Sequence, residues 1–452
     1  MVTRFLLDVF RAHAREEAIV FQDHSSTFGD LLAGIATADA AHRNAGIAPG
    51  AVVALEADFS PRGIAHLLAL LGGGAIVVPL APASAARHDE FRRIAQVEYR
   101  VVVAADDAAV AVERIAGADA SHGLYDTLRA LGHPGLVLFT SGSSGEPKAA
   151  LHDGDRLLAK YRTPRHRLRT ILFLLFDHIG GFDTLLQALS NACAVIIPVA
   201  RDPESVCAAI ARHRAEVLPA APSFLGLLLL SGAAGRHDLS SLRYVTYGAE
   251  VMPLRTLERL AAAFPGVTLL QKYGLTELGT MRSRSSANNS LWVKIGGEGF
   301  ATRVRDGLLE IQATSSMLGY LNAPSPFTDD GWFMTGDAVE QDGEFYRILG
   351  RASDLINVGG RKVYPAEVEA VVAEVPNVAD VAVVGEAHPF TGQVVVARVA
   401  LAQDEDARAL ERRVREHCKG RLAPYMVPAK VMVVPIDELV TARDKKARRA
   451  AP

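Results

Sequence analysis

Along most of the chain, short apolar runs alternate with stretches whose apolar positions recur at helical spacing. Val137 to Thr140, Thr170 to Phe176, Ala194 to Val199 and Arg243 to Thr246 are rich in β-branched or aromatic residues and end in turn formers. Each therefore reads as a buried strand. Between them, Pro203 to His213 and Pro253 to Phe264 carry apolar residues three and four apart behind a leading Pro, the pattern of a helix. Strand and helix in alternation predict an α/β fold with largely parallel sheets flanked by helices.

The pattern changes after about Gly350. Tyr364 to Glu374 reads as an amphipathic helix with Pro in its first turn. Val378 to Val384 and Val394 to Leu401 read as strands, Asp404 to His417 as a charged helix, and Lys430 to Val434 as a last strand. These elements make a small α+β domain. The expected division is a large domain over 1–350 and a small, mobile one over 351–452.

Composition narrows the picture. A chain of 452 residues exceeds one compact core, which agrees with two folding units. A net charge of −3 gives no electrostatic reason to expect nucleic acid or an anionic membrane as partner. Cys193, Cys207 and Cys418 lie far apart without metal-ligand spacing, so neither a disulfide framework nor a zinc site is expected. Asp8 interrupts the apolar start, and the richest apolar run, Leu225 to Leu230, is too short to span a bilayer. A cytoplasmic protein is expected.

The strongest chemical signal is Leu136 to Lys148, an apolar strand entering the loop Thr140-Ser141-Gly142-Ser143-Ser144-Gly145 before Lys148. The glycines let the backbone turn and approach a ligand, and the hydroxyls and backbone N–H groups cradle an anion such as polyphosphate. Glu146 and Pro147 separate Gly145 from Lys148, so this is not a Walker A loop. Further along stand Tyr247-Gly248-Ala249-Glu250, Gln271-Lys-Tyr-Gly-Leu-Thr-Glu277, Thr335-Gly-Asp337 and Gly350-Arg351, and then Asp354 to Glu369 around Gly359-Gly360. Tyr273 offers a flat face for a base, Gly274 a close approach, Thr276 a hydroxyl donor and Glu277 an oxygen ligand for Mg²⁺.

In this order and composition the motifs resemble the adenylate-forming superfamily of acyl-CoA synthetases, peptide-synthetase adenylation domains and luciferases. The resemblance runs from about Ser25 to the C-terminus, with a lead-in shorter than the family's. It implies that Thr140 to Gly145 and Lys148 hold the β- and γ-phosphates of ATP, and that Gly248, Ala249 and Glu250 line the adenine pocket beside Tyr273. Thr276 would meet the α-phosphate or substrate carboxylate, and Asp337 and Arg351 the ribose. The hinge falls at Ser353 and Asp354, where Ser353 stands in place of the family's Asp or Lys. Gly359 and Gly360 would line the pantetheine tunnel. Lys445 takes the position of the C-terminal catalytic lysine, which offsets charge between carboxylate and α-phosphate. Its surroundings depart from the family, with Asp444 for Gly and Val440 for Pro, and Lys446 and Arg443 are rivals.

The segment Leu172 to Gly181 resembles the family's acyl-pocket segment, with His178 before Ile-Gly-Gly. His178 is either a pocket residue that moves between half-reactions or a satisfied core histidine. Asp177, where an aromatic is more usual, could hold a substrate amine or hydroxyl; Asp183 is its rival, and either could pair locally. Ser223, Gly226, Tyr247, Gly279 and Met281 complete the expected pocket. The resemblance implies an acid:CoA ligase using ATP, Mg²⁺ and CoA. Alternatives are transfer to a carrier-protein phosphopantetheine, activation of nitrite for diazotising an amino-aryl acid, and a non-catalytic nucleotide-binding protein. If Lys445 has the implied role, Lys445→Ala abolishes adenylate formation yet still binds ATP; full adenylation by that variant would reject the assignment.

Overall fold

The computed structural model describes residues 3–141 and 146–439. Two seven-stranded sheets and a layer of helices between them form its centre. The first sheet runs in the order Thr268–Gln271, Tyr244–Tyr247, Val217–Ala220, Thr170–Ile171, Val195–Ile197, Glu17–Phe21, His24–Thr27. It is parallel except for the terminal hairpin. The second runs Gly319–Tyr320, Pro147–Asp153, Gly135–Ser141, Ile76–Leu80, Val52–Glu56, Tyr99–Val103, Val110–Arg114, with a parallel centre and antiparallel margins.

Helices Phe28–Asn44, Pro61–Gly72 and Ile179–Leu189 fill the space between these sheets. Their apolar residues, such as Phe28, Leu67 and Leu185, share one core with Ile19 of the first sheet and Val53 and Leu55 of the second. A sheet buried on both faces needs continuous apolar strands, which is what Val52–Glu56 and Ile76–Leu80 supply. The outer face of the first sheet is covered by Pro203–His213, Pro222–Ser231 and Leu254–Ala263. That of the second is covered by His88–Ile94 and Gly123–Leu131.

Helix starts follow local chemistry. Thr27 and Asp30 form a capping box before Phe28–Asn44, and the Asp202 side chain accepts from the Ser205 N–H ahead of Pro203. The helix expected over Pro203 to His213 is present with those bounds. The strand expected over Thr170 to Phe176 is not: only Thr170–Ile171 is strand. Beyond it the chain leaves the sheet, and its apolar side chains are buried on two different sides. Leu172 and Phe176 enter the core between the sheets, and Phe173 enters the outer core.

A third sheet, of six strands, is antiparallel throughout: Arg282–Ser285, Trp292–Gly296, Phe345–Arg351, Phe333–Asp342, Leu308–Ala313, Phe300–Arg305. After Arg351 comes a single 3₁₀ turn, Ala352–Asp354. The remaining strands form a separate sheet with its own core, packed by helices Pro365–Val372 and Ala407–Cys418. Its strand Val378–His388 extends past the expected Val384, because it forms a long antiparallel hairpin with Gly392–Leu401. The fold is thus mixed α/β, a large sheet-based portion followed by a smaller α+β one. Among the described residues no helix is long and apolar enough to cross a membrane.

Two buried histidines join the middle helices: His42 Nε2 and His66 Nδ1 lie 2.9 Å apart. Burial pulls both down to about 4, and each also feels a nearby positive or protonatable group, His66 for His42 and Arg62 for His66. Because the unfolded chain binds these protons near pH 6.5, stability is full above that pH and falls as pH drops toward 4. By pH 5 each histidine is expected to cost on the order of 2 kcal/mol. Urea unfolding from pH 7 to 5 should show a shallower decline in the His42→Leu/His66→Leu double variant; an unchanged slope would contradict it.

Candidate active site

Strand Thr268–Gln271 delivers the segment Lys272 to Glu277 to the end of the first sheet. Gly274 pairs with Thr280 in a tight two-stranded ladder; a Cβ on Gly274 would come 2.9 Å from the Thr280 Cα. Glycine is therefore required there for close backbone packing. The adjacent Tyr273 is buried, and its hydroxyl donates to Asp337 Oδ2.

Asp337 is the centre of the site. It lies on Phe333–Asp342 directly opposite Arg351 on Phe345–Arg351. Arg351 Nε reaches its Oδ1 at 2.7 Å, and its own N–H donates to Thr335 Oγ1 at 3.0 Å. The carboxyl is 6% exposed. Burial raises its proton affinity; Arg351 and the Tyr273 hydroxyl oppose that rise, and Glu277 and Asp354 add to it. An ionised group so placed holds its charge only through such partners.

A second cluster meets it from the side of the Ser/Gly loop. Strands Gly135–Ser141 and Pro147–Asp153 form a hairpin that pairs Thr140 with Lys148. Gly142, Ser143, Ser144 and Gly145 lie outside the described residues. The Lys148 ammonium stands over the Tyr320 ring, 5.4 Å from its centroid. Tyr320 pairs with Ala150 across the sheet edge, and its hydroxyl donates to Glu277 Oε1 at 2.6 Å. Thr276 is buried, and its carbonyl accepts from His152 Nε2 at 2.7 Å. Burial lowers His152 to about 4, so the ring is neutral. Tyr320 and His152 escape sequence reading, since their partners lie 43 and 124 residues away.

The first-sheet motif lies alongside. Tyr247 is buried, and burial raises its hydroxyl to about 12. A Cβ on Gly248 would come 2.6 Å from the Lys272 carbonyl, and Ala249 takes a left-handed φ of 69°. Glu250 Oε2 accepts from the Ser223 N–H and hydroxyl at 3.1 and 2.7 Å.

The expected pocket residues separate into groups. Ser223 and Gly226 line a crevice that faces Ala373 and Val378 to Asp380 of the small portion. Met281 is 1% exposed in the core beneath the third sheet. Gly279 turns the chain with φ 79°. His178 caps helix Ile179–Leu189, its Nδ1 accepting from the Gly180 N–H at 3.3 Å. Asp177 accepts from the Ser84 hydroxyl at 3.0 Å, and Asp183 is paired with Lys160 at 2.5 Å. Both carboxylates therefore have local partners.

In the small portion, Ser353 Oγ donates to Asp354 Oδ1 at 3.1 Å. Gly359 and Gly360, with φ of 59° and 81°, turn the exposed tip of the Ile356–Val358 and Arg361–Val363 hairpin. Thr441, Arg443, Asp444, Lys445 and Lys446 lie outside the described residues.

Comparison with known proteins gives two family matches: "AMP-binding enzyme" over residues 8–302 and "AMP-binding enzyme C-terminal domain" over residues 367–446. An indoleacetate–CoA ligase from Aromatoleum aromaticum is 31% identical over 344 residues. That stretch covers 70% of this chain and 66% of the relative, just under two thirds of its length. The o-succinylbenzoate CoA synthetase of Bacillus subtilis, solved with its acyl-adenylate, superposes with a TM-score of 0.78 at 22% identity, covering 98% of this chain and 96% of that one. An amide bond synthetase from Marinactinospora thermotolerans gives 0.77 at 24% identity, covering 99% and 98%. At such identities the likeness concerns the fold.

Proposed function

Because the chain belongs to the AMP-binding enzyme family, we propose that it activates a carboxylic acid with ATP as an acyl-adenylate and then transfers the acyl group to the thiol of CoA. The observation that carries this reading is the convergence on one site of a buried Tyr273–Asp337–Arg351 cluster and the Lys148–Tyr320–Glu277 group. The first suits a nucleoside, the second its polyphosphate.

In the first step the substrate carboxylate oxygen attacks the α-phosphorus. The bond from that phosphorus to the bridging oxygen breaks, and pyrophosphate leaves. Asp337 accepts from the ribose hydroxyls, with Arg351 and Tyr273 holding its carboxylate in place. Adenine lies beside Tyr273 against the Gly248 to Glu250 turn. Thr140, the Ser141 to Gly145 loop and Lys148 hold the leaving phosphates, and Thr276 the α-phosphate. Lys445 offsets the charge between nucleophile and phosphorus.

Glu277 suits Mg²⁺. It gives a hard oxygen ligand on a carboxylate whose Oε1 is oriented by Tyr320, and one carboxylate suffices for an ion otherwise held by phosphate oxygens and water. The ion would neutralise phosphate charge. In the second step the CoA sulfur attacks the acyl carbon, the acyl–phosphate bond breaks, and AMP leaves. The division at residue 350, with a pivot at Ser353 and Asp354, lets the small portion exchange Lys445 for the Gly359-Gly360 tip. His178 and Asp177 border the acyl group.

Pyrophosphate release measured over fatty, aryl, amino-aryl and amino acids, with nitrite as a further nucleophile, tests the reading. One class of acid should support release and give a CoA thioester when CoA is added, and Glu277→Ala should lower that rate on the order of 100-fold. Release with no thioester would replace CoA by another acceptor; no release with any acid would overturn the reading.

A further inference from the structure

The segment after strand Leu308–Ala313 is bonded to both halves of the site, and one of its side chains has no part in the chemistry above. Ser315 Oγ donates to the Leu278 carbonyl at 2.7 Å, and the Met317 N–H donates to the Glu277 carbonyl at 2.8 Å. Leu318 then crosses to the Lys148 hairpin, its N–H donating to the Leu151 carbonyl at 2.7 Å. Gly319–Tyr320 pairs with Leu151 and Ala150, and the Leu321 N–H reaches the Ala149 carbonyl at 2.9 Å. Among the described residues backbone pairing along this edge ends there, before Pro147.

Asn322 continues the edge with its side chain. Its Oδ1 accepts from the Ala149 N–H at 3.0 Å, and its Nδ2 donates to the Pro147 carbonyl at 2.8 Å. One amide thereby satisfies two backbone groups, one on each side of Lys148, that a sheet edge would otherwise leave open. On its inner side Lys148 pairs with Thr140. The backbone of Lys148 is thus held from both sides. Asn322 itself is exposed and stands outside the core, so the bonds to Pro147 and Ala149 are what its side chain contributes.

A lysine is a point charge on a flexible stem, so where the charge falls depends first on where its backbone is fixed. The Lys148 ammonium stands 5.4 Å from the centroid of the Tyr320 ring, and the Tyr320 hydroxyl donates to Glu277 Oε1 at 2.6 Å. Tyr320 and Asn322 lie two residues apart on one segment. The root and the tip of Lys148 are therefore both registered to the segment that also orients Glu277. A polyphosphate then meets a cation already in place, and less ordering is needed on binding.

We propose that Asn322 is a positioning residue: through the two peptide groups flanking Lys148 it sets that lysine for the β- and γ-phosphates of ATP. This rests on the phosphate-site reading above. Calorimetric titration of ATP with Mg²⁺, and separately of AMP, tests it on the unaltered protein, Asn322→Ala, Lys148→Ala and the double variant; no acid is added, so no turnover is needed. Asn322→Ala should weaken ATP binding on the order of 10-fold. It should leave AMP, which lacks those phosphates, unchanged. In the Lys148→Ala background the same substitution should add little, because the side chain it positions is gone. Asn322→Asp keeps an acceptor for the Ala149 N–H but sets a carboxylate against the Pro147 carbonyl, so it should behave as Asn322→Ala does. Unchanged ATP affinity in Asn322→Ala, an equal loss for AMP, or a loss that adds in full to that of Lys148→Ala would overturn the proposal, the last two marking Asn322 as purely structural. ATP binding unaffected by Lys148→Ala refutes the phosphate-site reading and the proposal with it. ATP binding weakened by Lys148→Ala but not by Asn322→Ala refutes the role of Asn322 alone. The melting temperature reports that each variant is folded.

Discussion

A carboxylate buried to 6% exposure must be held by donors, and Asp337 organises the site through that requirement. Its partners come from different parts of the chain: Tyr273 from the end of the first sheet and Arg351 from the third. Satisfying one charge thus fastens the parallel sheet to the antiparallel one. Arg351 is also the last residue before the turn Ala352–Asp354, beyond which the chain enters the small portion. The Arg351–Asp337 contact, proposed to orient a carboxylate for a ribose, therefore stands at the proposed pivot. Glu277 and Asp354 both act on Asp337 electrostatically, so the charge state there is tied to both carboxylates together.

The second constraint is a sheet edge. The short strand Gly319–Tyr320 closes the second sheet beside Pro147–Asp153. That pairing puts Tyr320 between Lys148 and Glu277, two side chains of opposite charge from segments more than a hundred residues apart. Tyr320 keeps them close without letting them neutralise each other by direct contact. A cation and a carboxylate held apart in this way suit a ligand that carries both phosphate and a divalent ion.

Much of this was legible in the sequence where local chemistry decides. The helix Pro203–His213 is announced by Asp202 and Pro203, and the hairpin strands of the small portion by their valine runs. The positions that meet at Asp337 were legible as motifs, although nothing local says that Tyr273 and Arg351 share one carboxylate. Apolar content misleads at Leu172 to Phe176, where burial without strand pairing gives the same composition as a strand. His152, Tyr320 and Lys160 were silent because each takes its meaning from a tertiary partner: Thr276, Glu277 and Asp183. Apart from the hairpin-like stretch after Asp337, the antiparallel third sheet was likewise unmarked, since its strands are half polar, as Arg282–Ser285 illustrates.

The central claim, that the buried Asp337 cluster is the nucleoside site, is tested most directly by calorimetric titration of AMP onto the protein and onto Asp337→Asn. The substitution keeps the size of the side chain but removes the charge that accepts two hydroxyl donors. Affinity should fall on the order of 10- to 100-fold, with the melting temperature showing the variant folded. An AMP affinity unchanged by the substitution would contradict the account.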